Sequence, residues 1–153
     1  MRALKLLQTL WRQPWQDRLL LLEAGLWLAV AAFVIAVLPF RQVGRLAAMP
    51  IRRSEPPQQT RLTQARRIRW AILVCARLVP WRAMCFQQGL AAQIMLRRRG
   101  VPSRLYYGAA SDSQRGLSAH VWVRDGEVNV IGGEIAPRFA LLATFPPEVG
   151  PHN

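Results

Sequence analysis

Hydrophobic positions along this 153-residue chain change period once, close to residue 100. Before that point apolar residues recur at helical spacing; after it they alternate. The first stretch, Met1 to about Met49, reads as helical. It opens with a basic, leucine-rich turn carrying Trp11, and Pro14 and Asp17 mark a new helix start. Ala24 to Leu38 is uncharged and ends at Pro39; extended back to Leu19, the apolar segment includes only Glu23. Its length lies between a buried core helix and a membrane span. Arg12 and Arg18 flank one end and Arg41 and Arg45 the other, so the charges encode no orientation. The run starts late and lacks a small-residue cleavage site, unlike a secretory signal. A packed or interfacial helix is expected, with a membrane span as the alternative.

Pro50 to Thr60 is polar, proline-rich and aperiodic, and reads as a linker. A second helix is expected from about Leu62 to Leu78, with Leu62, Ile68, Ile72 and Cys75 near one stripe. Arg66, Arg67 and Arg69 fall mostly off it, as a solvated face or a phosphate-binding one. Val79-Pro80-Trp81 breaks the pattern. A third helix runs from about Met84 to Arg99, closed by Gly100 with Pro102 beyond. Arg97, Arg98 and Arg99 meet the negative end of its dipole.

Beyond it lie a short strand from Ser103 to Gly108, a polar loop from Ser111 to Gly116, and a hairpin whose arms are Ala119–Arg124 and Glu127–Ile131. Asp125-Gly126 is the expected hairpin turn. Gly132-Gly133 ends the second arm, and a last strand, Phe139 to Phe145, stops at Pro146-Pro147. Helices followed by an antiparallel sheet define an α+β fold. Three regions follow: a hydrophobic helical region and linker at 1–60, a core at 61–147 and a flexible tail at 148–153.

Charge sharpens this picture. The chain carries 21 Lys and Arg against 8 acids, and Lys5 is the sole lysine. Residues 1–80 hold 13 cations and 3 acids, residues 81–153 hold 8 and 5. Such a surface suits an acidic peptide, nucleic acid or an anionic membrane. Nucleic acid is not expected, because the aromatics are not interleaved with the arginine runs as stacking platforms. Two cysteines and two histidines exclude a disulfide scaffold and a cysteine- or histidine-rich metal site. No metal or cofactor is expected.

Cys85 stands at the start of the third helix, where free N–H groups and the helix dipole favour a thiolate. The same N–H groups can hold an oxyanion. Gln87 and Gln88 follow in the first turn, as oxyanion-site amides or as surface polarity. Cys75, late in the second helix on its apolar side, reads as a small hydrophobe. His120 lies on the first hairpin arm, and His152 lies in the tail. A cysteine at a helix start and a histidine on a strand form a thiolate–imidazolium pair if the helix packs on that strand.

The stretch Cys85-Phe-Gln-Gln-Gly-Leu-Ala-Ala-Gln-Ile-Met-Leu-Arg-Arg-Arg-Gly-Val-Pro-Ser-Arg-Leu-Tyr-Tyr-Gly, followed by Ala119-His-Val-Trp-Val-Arg124, resembles the transglutaminase-like cysteine peptidases of lasso peptide biosynthesis, the B-type leader peptidases. The likeness covers about residues 60–147, and the hydrophobic stretch before it is similar to the N-terminal part of the stand-alone members. The resemblance implies a transglutaminase/papain-like core with the catalytic helix packed on a small antiparallel sheet. It makes Cys85 the nucleophile and His120 the base. The substrate would be a ribosomally made lasso precursor peptide, cut between leader and core in the cytoplasm. A partner lasso cyclase would then use ATP to close the macrolactam ring. Residues 1–60 lack the strand pattern of a leader-binding winged helix, so the chain resembles the split form that works with a separate leader-recognition protein. Peripheral membrane contact is a further expectation.

In that family an Asp about twelve residues after the histidine is the third catalytic group; here the position is Gly132. Pairing across Asp125-Gly126 sets Trp122 opposite Asn129 and His120 opposite Ile131, placing His120, Trp122, Glu127 and Asn129 on one face. Asn129 is then one candidate to orient His120 and Glu134 the other; a dyad, or another orienting group, is left open. The competing reading is a non-catalytic, basic module that binds a membrane or a partner through residues 1–50 and the arginine-rich second helix.

Overall fold

Prolines set the helix boundaries. The computed structural model describes residues 13–51, 53–114 and 116–148. The turn around Trp11, His152 and the tail beyond Glu148 lie outside the described residues. Helix α1 spans Trp15–Val37, directly after Pro14, with Asp17 in its first turn. Leu38 turns extended ahead of Pro39, and α2, Phe40–Ala47, begins at once. Helix α3, Gln58–Ala76, starts after Pro57, a full turn earlier than the periodicity predicts. Pro at the position before a helix costs nothing, because an N–H there has no helical partner. Helix α4 spans Cys85–Arg98 and closes with two bonds, Val101 N–H to Leu96 O (3.1 Å) and Gly100 N–H to Arg97 O (3.1 Å). That double closure explains the glycine past the arginines.

Strands β1 (Arg104–Asp112), β2 (Gly116–Asp125), β3 (Val128–Ile131) and β4 (Ala140–Phe145) form one antiparallel sheet in the order β3-β2-β1-β4. The expected polar loop after residue 110 is shorter than its composition suggests, since Ser111 and Asp112 pair with Leu117 and Gly116. A short 3-10 turn, Ala136–Arg138, precedes β4. The fold is therefore helices plus a small antiparallel sheet, as the change of period indicates.

Helix α4 occupies the centre. One side packs on β2, and the other meets α1 and α3. Contact with the sheet is close: a Cβ at Gly89 would sit 2.6 Å from Val121 Cγ1. A single apolar core unites Leu28 of α1, Ile68 and Ile72 of α3, Leu90, Met95 and Leu96 of α4, and Leu105 and Val123 of the sheet. The core thus runs across residue 60. Gln93, fully buried, ties it together: its Nε2 lies 2.9–3.1 Å from Ala47 O, Ser103 O and Phe145 O, its two N–H groups shared among the three carbonyls, joining α2, β4 and the residue before β1 to α4. Buried amide donors need such partners.

One face of α1, Leu20, Leu21, Ala24, Leu28 and Ala31, is buried. Its two acids turn toward arginines of the body. Glu23 receives both terminal nitrogens of Arg99 (3.0 and 2.5 Å), and Asp17 receives Arg67 (2.7 Å). By length and composition α1 could cross a membrane.

Candidate active site

Cys85 is the first residue of α4 and is half-buried. No side chain caps this helix start, and the first intrahelical bond is Gln88 N–H to Met84 O, 3.1 Å. The N–H groups of Cys85, Phe86 and Gln87 precede that bond and point out of the helix end, beside the thiol. The two glutamines of this turn divide their work. Gln87 Oε1 accepts from Trp81 Nε1 (3.2 Å) and braces the preceding loop. Gln88 donates to Ala83 O (2.8 Å) and forms part of the cleft wall.

His120 is buried on β2. Val121 packs on Gly89 of α4, so strand alternation sends His120 from the other side of the sheet, with Trp122. Its ring lies near-parallel to Trp122 (centroids 6.0 Å apart, 19°) and 5.0 Å from Phe139. Its Nε2 is 2.7 Å from the carbonyl oxygen of Gly132. A carbonyl can only accept, so Nε2 carries the proton and the neutral ring has its lone pair on Nδ1.

Gly132 can bring its carbonyl there because it has φ +76°, and because a Cβ would stand 2.6 Å from Val121 O. Only glycine takes up both demands without strain. The chain thus supplies a main-chain oxygen at residue 132, the position where the resemblance implies an acid.

A cleft of about 190 Å³ joins these parts, lined by Arg69, Leu73, Cys85, Gln88, His120, Val121, Ile131, Gly132 and Glu134. Cys85, His120 and Glu134 all line this cleft, but among the described residues no hydrogen bond joins the Cys85 thiol to the His120 ring, whose hydrogen bond goes to Gly132 O. Arg69 stands at its rim, donating to Val130 O (3.0 Å) and to Glu134 (2.5 Å). The Glu134 carboxyl is held below the usual carboxylate range. Its own backbone N–H contributes most, then the hydrogen bond and charge of Arg69 and the charge of His120, while burial opposes them.

Asn129 is not brought to His120. The hairpin turn is Gly126-Glu127, flanked by the pair Asp125–Val128, and Arg124 pairs with Asn129. A register shift then pairs Val123 with Ile131 and leaves Val130 as an extra residue, its carbonyl held by Arg69. The expected pairs Trp122–Asn129 and His120–Ile131 are therefore replaced. One residue of turn placement plus one bulge moves every side chain of the arm. Asn129 is exposed and abuts Gly133, where a Cβ would meet its Cγ at 2.4 Å.

Arg69 was not legible as a cleft residue. It belongs to the Arg66-Arg67-Arg69 run, which reads as solvated, yet two of the three bind acids of this chain. No local spacing distinguishes them; only the packing of α3 beside β3 does. Cys75 behaves as expected. It is buried, its Sγ lies 3.2 Å from Leu21 O, and burial pushes its thiol up to about 11.

The family model of the transglutaminase-like superfamily matches residues 25–144, and the chain belongs to that superfamily. The match begins inside α1 and ends in β4, so it includes the cleft and most of the helical layer. Cysteine peptidases and acyltransferases are among its members, which points to a cysteine-dependent enzyme. Comparison with curated proteins and with solved structures found no match.

Proposed function

We propose that this chain is a cysteine peptidase that removes the leader from a ribosomally synthesised lasso precursor peptide, before a partner cyclase closes the macrolactam. The observation that carries the reading is the shared cleft of Cys85 and His120, with His120 hydrogen-bonded to Gly132 O. The resemblance of Cys85–Gly108 and Ala119–Arg124 to the B-type leader peptidases supplies the substrate class.

In this reading His120 accepts the Cys85 proton, and the thiolate attacks the carbonyl carbon at the leader–core junction. The first-turn N–H groups of α4 stabilise the oxyanion. The imidazolium then protonates the departing amine of the core peptide, leaving the leader as a thioester on Cys85. Water, deprotonated by His120, hydrolyses that thioester and restores the thiol. Gly132 O fixes the imidazole tautomer, the task an Asn performs in papain-like sites. Glu134, tied to Arg69, adds negative charge near the imidazolium. The chemistry needs no metal or cofactor; ATP is consumed by the cyclase.

The resemblance to the split form assigns leader binding to a separate leader-recognition protein. The work is placed in the cytoplasm, where the precursor is made. Incubating the chain with a precursor peptide, with and without that protein, tests the reading. Release of intact leader and core, promoted by the recognition protein, is expected; an uncut precursor under both conditions would remove the assignment.

A further inference from the structure

The outward face of α1 takes no part in the core or the cleft. Trp15, Leu19, Leu22, Leu26, Phe33 and Val37 are all exposed, Leu22 by 71% and Phe33 by 67%. Their intervals of three, four and seven follow the 3.6-residue period, so they form one stripe on one side of the helix. From Leu19 to Val37 the stripe runs about 27 Å and carries no charge. Contiguous apolar surface of this kind marks an interaction site.

The charges around it are of one sign. Asp17 and Glu23, the acids of α1, are held by Arg67 and Arg99. Arg41 and Arg45, both exposed, follow at the C-terminal end. Along the flank, the Arg98 guanidinium lies over the Trp27 ring, 5.4 Å from its centroid. Arg98 also lines a cavity of about 450 Å³ with Met49, Pro50, Arg53 and Arg97. Three arginines and no acid line that cavity. Arg97 is only 8% exposed and hydrogen-bonds to the carbonyls of Met49 (2.7 Å) and Ser103 (2.8 Å) rather than to a carboxylate. Part of this is the ordinary service of cations to the α4 C-terminus. It leaves Arg53 and Arg98 without an acid among the described residues.

We infer that α1 docks the protein on an anionic phospholipid surface. The stripe enters the boundary between headgroups and acyl chains, and a headgroup phosphate sits among Arg53, Arg97 and Arg98. An in-plane helix keeps its inner face on α3 and α4, whereas a span would strip that face from the core. Charge complementarity selects the lipid.

Sedimentation of the full chain with vesicles tests this, using phosphatidylcholine alone and phosphatidylcholine mixed with phosphatidylglycerol. Binding to the mixed vesicles only, with release by high salt or carbonate, is the expected result. Leu22→Glu and Leu26→Glu, each checked for an unchanged circular dichroism spectrum, should abolish it. Arg53→Ala and Arg98→Ala should each weaken it about fivefold. Equal binding to both vesicle types, or binding untouched by both stripe variants, would overturn the inference. So would release by detergent alone, or a stable complex with another protein or a second copy that the stripe variants split. Peptide cleavage in solution is read separately, so either conclusion can fail without the other.

Discussion

His120 Nε2 and the carbonyl oxygen of Gly132 are joined across 2.7 Å, an imidazole held by main chain rather than by a carboxylate or an amide. The bond depends on the backbone of Gly132, which has φ +76° and no room for a side chain against Val121 O. Gly132→Ala should therefore lose stability by about 1–3 kcal/mol and displace the carbonyl. Turnover should fall while KM changes little. Thermal melts with steady-state kinetics check this, and a variant that melts and turns over like wild type would show that the bond does not position His120.

The two thiols should separate cleanly. Cys75 is buried and its thiol is pushed up to about 11, so it stays protonated near neutral pH. Cys85 borders the open cleft at a helix start. Iodoacetamide at neutral pH, followed by peptide mass mapping, should label Cys85 in the folded protein and Cys75 only after unfolding. Cys75→Ala should keep activity. Preferential labelling of Cys75 in the native state would reverse the assignment.

His120→Ala should lose on the order of 10²–10⁴-fold in turnover, whereas Asn129→Ala should stay close to wild type. Asn129 is exposed and paired opposite Arg124, away from the cleft. Paired kinetic measurements decide it; a large loss in the Asn129 variant with little loss in the His120 variant would restore the register expected from the turn motif.

Much of the fold was legible because it rests on signals that survive tertiary packing. Pro14 marks a helix start, Gly100 marks a helix end, and alternation marks β2; Pro39 and Pro57, which read as the end of an apolar run and as linker, prove to precede helices directly. Cys85 and His120 could be singled out, one by its helix-start position and both by the motif around them. The hairpin register could not. Asp125-Gly126 and Gly126-Glu127 both suit a two-residue turn; the fold takes the second, with a register shift that leaves Val130 as an extra residue whose carbonyl accepts from Arg69 of α3. Gly132 reads in the sequence only as a missing acid, because a hydrogen bond through main-chain oxygen leaves no trace in residue type.

Glu134 should contribute stability that depends on pH. Its folded pKa lies below the ordinary value of 4.5, so the unfolded chain binds the proton more readily. The contribution is full above 4.5 and is lost as pH falls through the depressed folded value. Because Glu134 is 60% exposed in its pair with Arg69, it should amount to at most about 1 kcal/mol. Melting wild type and Glu134→Gln from neutral pH downward should show a small gap that closes on acidification. A gap that widens as the pH drops would contradict this electrostatic role.

The recognition partner supplies another test of the proposed division of labour. Adding the leader-recognition protein should lower the apparent KM for the precursor, with kcat less affected. Identical kinetics with and without it would mean that this chain binds the leader unaided.

The most direct measurement is cleavage of the precursor by wild type and by Cys85→Ser, in the presence of the leader-recognition protein, with products weighed by mass spectrometry. The thiol is the nucleophile in this account, and Cys85→Ser replaces it with a far weaker one while barely changing its volume. Wild type should yield one leader and one core fragment, and the folded Cys85→Ser variant should leave the precursor whole. Cleavage by Cys85→Ser at the wild-type rate would contradict the account at its centre.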